Sequence, residues 1–252
     1  MHSHAYNHFG THPDVEDTRD HRYEPPAIEL PPSVDLSAYC GEIYDQGMTH
    51  TCSAHAVSSA ITWLGNLANA PIAPPSRLFI YYNARAYLNE QGSDCGATMR
   101  DAIKSIVRNG SCPESDWPFD TTQITTKPPP NCYGNVTEHA LSYRRIVGGF
   151  DHLKTCLAEG FPFVFAIEAY IETFTAAANN GGVLPMPAAG NTDLGGHAVV
   201  AIGYTAGSIK ALNSLGPSFG DKGFFYIPLE YFVNGEKPLT RDFWTIRSLK
   251  NS

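Results

Sequence analysis

The chain has 252 residues, with 17 Lys and Arg against 25 Asp and Glu, for a formal net charge of −8. That balance argues against a nucleic-acid binder, which needs a basic stripe. Hydrophobic residues make up 42% and aromatics 12%, enough to bury a sizeable core and too many for a wholly disordered chain. The longest apolar stretches, such as 161–169 and 198–204, fall well short of the ~20 residues of a membrane-spanning helix.

The elements follow in chain order. Residues 1–29 are polar and aperiodic, rich in His, Asp and Arg, and read as an N-terminal arm. They hold no apolar signal-peptide core, so the expected compartment is the cytoplasm. Residues 34–46 read as a strand and a turn. From Cys52 the apolar positions Ala56, Ala60, Trp63, Leu64 and Leu67 recur at three and four, one face of a helix that Thr51 would cap. Residues 76–88 form a second helical run. Met99, Ala102, Ile103, Ile106 and Val107 form a third, with Gly110 placed to end it. Residues 111–147 read as loop, including a sequon-like Asn135-Val136-Thr137. Asp151 then caps a short helix that stops at Gly160. Strands are expected at 161–170, 198–204, 209–213, 224–227 and 243–249. Helices first and strands later imply an α+β fold of two subdomains with a cleft between them. The expected division is an arm over 1–29 and one domain over 30–252.

Three stretches carry chemistry. In YDQGMTHTCSAHA (44–56), Cys52 opens a predicted helix, where unpaired N–H groups and the macrodipole favour a thiolate, the nucleophilic form. Gln46 lies six residues earlier, across a Gly47 turn that brings its amide back toward Cys52. With the Cys52 backbone N–H it would make a two-donor oxyanion hole. In DLGGHAVVAIGY (193–204), His197 opens an apolar strand after two glycines. In ALNSLGPSFGDKGFFYIP (211–228), Asn213 ends a strand that, set beside the previous one, brings its side-chain oxygen to the imidazole N–H.

These residues resemble the papain family of cysteine peptidases. Gln46 and Cys52 keep that family's six-residue spacing, and the interval from Cys52 to His197 falls in the ~130–150 residues of the papain and cathepsin group. Asn213-Ser214 followed by Phe219-Gly220-Asp221-Lys222-Gly223-Phe224 matches its aromatic-Gly-x-x-Gly-aromatic turn, and LPPSVDL (30–36) looks like its mature start. PSRLFIYYNAR and CPESDWPFD look like bacterial-type members, and the resemblance spans roughly residues 30 to 249. It implies a papain-like fold, with a helical left subdomain and an antiparallel β-barrel-like right subdomain. It also implies an endopeptidase acting on peptide or protein substrates without cofactor or metal. In that reading Cys52 is the nucleophile and His197 the base and acid. Asn213 orients His197, Gln46 serves the oxyanion, and Met99, Gly96, His50 and Ala198 line the substrate site.

The sequence also departs from the family. His50-Thr51-Cys52-Ser53 stands where Gly-Ser-Cys-Trp is usual, and Leu215 stands where a Trp covers the Asn–His bond. Thr49 replaces the Cys that would pair with Cys95, in keeping with a reducing compartment. These changes support one rival, a catalytically silent papain-fold binding protein; a second, an acyltransferase, would use the same triad. The arm is too short for a helical propeptide. Its expected place is over the cleft, as an intramolecular inhibitor. His55 reads as a core histidine, with a rival base as the alternative. His2, His4, His8 and His12 read as a solvated tail. No C-x-x-C pair is present, so the common zinc and redox spacings are absent. Cys156 reads as packed. A Cys112–Cys132 bridge is one pairing the loops allow, but sequence does not fix connectivity.

Overall fold

The apolar residues after Cys52 recur at helical spacing, and those after Gly195 run without interruption; these two segments become the spine of the molecule. The computed structural model describes residues 9–134, 136, 142–233 and 238–248. The first half holds β1 (Thr11–His12), β2 (Val34–Asp35), α1 (Cys52–Leu67), α2 (Arg77–Ala86), β3 (Ala97–Thr98), α3 (Met99–Asn109) and α4 (Asn131–Gly134). The second half holds β4 (Ser142–Arg145), α5 (Phe150–Ala158), β5 (Phe163–Tyr170), α6 (Ile171–Asn179), β6 (Asp193–Tyr204), β7 (Ser208–Leu212), β8 (Phe224–Pro228), α7 (Glu230–Val233) and β9 (Thr240–Ser248).

Helix α1 is buried on nearly every side from Cys52 to Gly65, as a central helix must be. Helix α2 starts at Ser76, whose hydroxyl accepts the Phe79 N–H. Helix α3 starts at Thr98, whose side chain accepts the Asp101 N–H, and it stops at Gly110 (φ +69°). Thr51 precedes α1 but makes no capping bond, because its hydroxyl pairs with that of Thr49 at 2.7 Å. Asp151 lies in the first turn of α5, and the capping position is Gly149.

A seven-stranded sheet runs β4-β9-β5-β6-β7-β8, with β2 added on β6, and its pairings are antiparallel. Among the described residues the path is open: β4 and β8 end it without meeting, so the barrel-like expectation gives way to an open sheet. Strand β6 is buried from Gly196 to Tyr204, because α1 covers it and strands flank it on both edges. One apolar core runs through helices and sheet together. Strand β4 and helix α6 were not expected from sequence, and the strand expected within 34–46 shrinks to two residues. His2, His4, His8, Asn135, Thr137 and Leu249 lie outside the described residues.

Candidate active site

Cys52 is the first residue of α1, and α1 packs against β6, which carries His197. The sulfur is reached by the backbone N–H of Ala198, the residue after His197. Strand β7 pairs with β6 and ends beside Asn213. His197 Nε2–H donates to Asn213 Oδ1 at 2.8 Å, and that oxygen also accepts the Ser214 N–H at 2.8 Å. Because Nε2 carries the proton, Nδ1 is the basic nitrogen; it is buried and has no hydrogen-bond partner among the described residues. Gln46 is tied to the same network. Its Nε2 donates to Thr49 O at 2.7 Å, its Oε1 accepts Ser214 Oγ–H at 2.7 Å, and its N–H donates to Ser214 O at 2.9 Å. That leaves one amide hydrogen beyond the bond to Thr49, and the Cys52 N–H lies at a helix start with no intrahelical acceptor.

The arm passes directly through this site. Phe9 lies on the His197 ring, with centroids 4.0 Å apart, and also packs against Phe174. Its N–H donates to Leu194 O at 2.6 Å. Gly10 follows between His50 and Gly96, where a Cβ would collide with both; its carbonyl accepts the Ala97 N–H at 3.0 Å. Only glycine fits there. Thr11 Oγ1 then forms a 2.9 Å hydrogen bond with Cys52 Sγ, and Arg241 Nη2 donates to Thr11 O at 3.0 Å. Thr11 and His12 pair in parallel with Ala97 and Thr98, and His12 Nε2–H donates to Cys95 O at 2.7 Å. Further on, the Asp14 carboxylate accepts the Arg100 N–H at 3.0 Å and Trp244 Nε1–H at 2.6 Å. Phe9, Gly10, Thr11 and Asp14 are the residues that sequence reasoning missed. Their partners are far away in the chain, and the local sequence shows only a Phe-Gly pair in a polar arm.

Burial sets the ionisation. Burial pushes the Cys52 thiol up, against hydrogen bonds from Thr11, Ala198, Gly10 and Ser53 that act the other way. Burial also pushes His197 down to about 4, with the Asn213 bond opposing. Both groups are therefore neutral near pH 7. The thiolate expected from the helix start is outweighed here by desolvation.

His50 is a cleft wall. Its N–H and its ring Nδ1–H bond Asp94, and Asp94 is held in turn by Tyr81 Oη–H at 2.6 Å. Gly96 (φ +88°) faces the arm directly, Ala198 offers its N–H to the sulfur, and Met99 is fully buried at the start of α3. Leu215 is 7% exposed, and Phe9 covers the ring that a larger residue would otherwise shield. His55 is a core histidine. Nδ1–H donates to Thr51 O at 3.0 Å and Nε2 accepts from Arg77 at 3.5 Å. Burial, and then the Arg77 charge, push it down to about 3.

A depressed histidine costs stability as pH falls, because the unfolded chain takes a proton near pH 6.5 that the native ring refuses until about pH 3. His55→Gln should therefore flatten the stability–pH curve by ~1.4 kcal/mol per pH unit between pH 6 and 4, relative to the parent. Denaturant titrations across that range check it. Parallel curves would contradict a neutral His55.

The family model described as papain family cysteine protease matches residues 30–234. An uncharacterized peptidase C1-like protein of Acanthamoeba polyphaga mimivirus is 32% identical over 234 residues, covering 88% of this chain and 74% of that one. Xylellain, a cysteine protease from Xylella fastidiosa, is 34% identical, with TM-score 0.88 and 97% of each chain covered. Procathepsin B S9 from Trypanosoma congolense shares the fold at 17% identity, with TM-score 0.77 and 97% and 87% of the two chains covered.

Proposed function

Because this chain belongs to the papain family of cysteine proteases, we propose that it is an endopeptidase worked by Cys52, His197, Asn213 and Gln46, and that its arm closes the site. The observation that carries the reading is the buried His197 ring, bonded through Nε2–H to Asn213 with Nδ1 left as the base beside α1. Once the arm leaves, water enters the cleft and both desolvation penalties fall. Nδ1 then takes the thiol proton, giving a thiolate and an imidazolium.

The thiolate sulfur attacks the carbonyl carbon of the scissile peptide bond. The carbonyl oxygen becomes an oxyanion, held by the Cys52 N–H and the remaining Gln46 amide hydrogen. His197 Nδ1–H gives its proton to the leaving amine, the C–N bond breaks, and a thioester remains on Cys52. Water then attacks that thioester while Nδ1 takes its proton, and the acid is released with the thiol restored. Asn213 keeps the ring in the tautomer that makes Nδ1 the base. Ser214 holds both Asn213 and Gln46, so orientation of the base and placement of the oxyanion donor are coupled through one residue.

The arm inhibits in three ways. Phe9 fills the aromatic face of His197, Gly10 takes the narrow passage beside His50, and the Thr11 hydroxyl takes the hydrogen bond of the thiol. Thr11→Val keeps the shape and removes only that hydroxyl. A net hydrogen bond contributes ~1 kcal/mol, so the full-length variant should hydrolyse a fluorogenic peptide ~5-fold faster than the parent. Phe9→Ala loses a buried ring, ~1.5–3 kcal/mol, and should gain ~10- to 100-fold. If neither variant is faster than the parent, the arm is not the inhibitor.

A further inference from the structure

Cys112 and Cys132 are both fully buried and, with Phe79, form a small apolar cluster apart from the main core. Both are free thiols that interact with each other, and Cys112 Sγ–H also donates to the Pro113 carbonyl at 3.5 Å. Three other sulfurs meet different partners: Cys52 meets Thr11, Cys95 the carbonyls of Glu90 and Gly96, and Cys156 the Phe161 carbonyl and Arg247. The backbones that carry the pair are fixed independently. Cys112 O accepts the Ser76 N–H at 2.7 Å, and the next turn is held by Glu114 N–H to Pro74 O at 2.7 Å. Cys132 lies in α4, where its N–H donates to Pro129 O at 3.0 Å. The neighbouring Tyr133 packs on Phe79 and donates to Asn83 Oδ1 at 3.1 Å. Both ends of the 112–132 loop are thus anchored on α2, with the thiols brought together between them.

We propose that Cys112 and Cys132 are a disulfide site, closed when the protein folds in an oxidising medium. The chemistry is thiol–disulfide exchange with a small oxidised disulfide such as oxidised glutathione. One protein thiolate attacks a glutathione sulfur and expels one glutathione thiolate. The second protein thiolate then attacks the mixed disulfide and expels the other. Two protein thiols become one S–S bond, and two electrons and two protons pass to two glutathione thiols. Burial raises both thiols, so in the closed fold neither is a ready nucleophile. The bond therefore forms while the loop is still open, and burial then protects it. It acts as a staple rather than a switch.

The stapled loop carries Glu114, whose carboxylate bonds Arg77 at 2.5 Å and accepts the Phe119 N–H at 2.7 Å. Arg77 lies over Tyr44 and Phe119 and reaches His55, three residues after the nucleophile. The staple thus supports the back of the helix that holds Cys52, without touching the reacting atoms.

The test uses the full chain carrying Cys52→Ala to prevent self-digestion, produced once in an oxidising bacterial periplasm and once in a reducing cytosol. Each preparation is denatured, alkylated and mapped by mass spectrometry. The periplasmic protein should yield one cross-linked peptide pair joining Cys112 to Cys132, with both thiols refusing alkylation until reduced. Its melting temperature should lie ~5–10 °C above that of the reduced form. Cys132→Ser should remove both the cross-link and the shift. Free, alkylated Cys112 and Cys132 in the periplasmic protein, or a cross-link from either to a different cysteine, would overturn the proposal. The map of the parent decides this even if the serine variant fails to fold.

Discussion

Removal of residues 1–12 should raise kcat/KM on a peptide substrate by up to ~10²-fold over the full chain. The cut takes away Phe9, Gly10 and Thr11 and leaves Asp14 in place against Arg100 and Trp244. The removed segment contributes the buried Phe9 ring, ~1.5–3 kcal/mol. It also contributes hydrogen bonds at Leu194, Ala97, Cys52 and Arg241, each net ~1 kcal/mol. Ordering a short stretch of backbone opposes these at ~1–2 kcal/mol per residue. At the upper end of that balance ~3 kcal/mol remains, which leaves the open form populated at roughly one part in 10² and sets the apparent activity of the full chain. A longer cut is the wrong experiment. Tyr23 is 5% exposed, its N–H donates to Arg145 O at 2.8 Å, and its hydroxyl bonds Glu159. Deletion through residue 25 would strip the sheet edge and confound release with unfolding. Initial rates of the two proteins on one fluorogenic peptide check the expectation. Equal rates would contradict it.

In the chain lacking residues 1–12, Cys52→Ala and His197→Ala should each lower kcat by ~10⁴ or more, and the double variant should be no slower than the slower single one. The thiol needs the imidazole to become a thiolate, and the leaving amine needs the imidazolium as acid, so neither residue works alone. Independent contributions would instead multiply. Asn213→Ala should cost less, ~10- to 100-fold, because it acts through the ring it orients and not on the substrate. Steady-state kinetics of the single and double variants check this. A double variant far slower than either single one would contradict action as a unit.

The parts of the fold legible in sequence are those with local signals. Helix α1 showed in the three-and-four spacing of Ala56, Ala60, Trp63, Leu64 and Leu67, and α3 in the stripe from Met99 to Ile106 closed by Gly110. The long strand β6 showed in its unbroken apolar run. Helix α6 follows β5 without a break at Tyr170–Ile171, and its Thr and Ile residues suit a strand as well as a helix, so no local signal divides the two. Strand β4 reads Ser-Tyr-Arg-Arg and exists because β9 pairs with it from the far end of the chain.

The site divides in the same way. Cys52, His197, Asn213 and Gln46 were legible as candidates because their spacing and flanking residues match the papain-family pattern, and the fold ties His197, Asn213, Ser214 and Gln46 into one hydrogen-bonded network. The residues that close the cleft were not. Phe9, Thr11 and Asp14 are defined by contacts to His197, Cys52 and Trp244, which lie in three different elements, and an aperiodic arm gives no hint of which side chain meets which. The neutral state of the thiol follows from its burial. A helix start alone favours the thiolate, but full burial reverses the balance.

The most direct measurement is covalent labelling by an epoxide-type cysteine-peptidase inhibitor at pH 6, read by intact mass and peptide mapping. Opening of the epoxide needs a thiolate to attack and an acid to protonate the alkoxide, so it reports the assembled pair rather than a merely accessible thiol. The chain lacking residues 1–12 should take one adduct, on Cys52, quickly. The same chain with His197→Ala should take it far more slowly, and the full-length chain should be slow for want of an open cleft. No adduct on Cys52 in the shortened chain, or labelling there that is indifferent to His197, would contradict the central claim that an arm-closed Cys52–His197 pair is the working site of this protease.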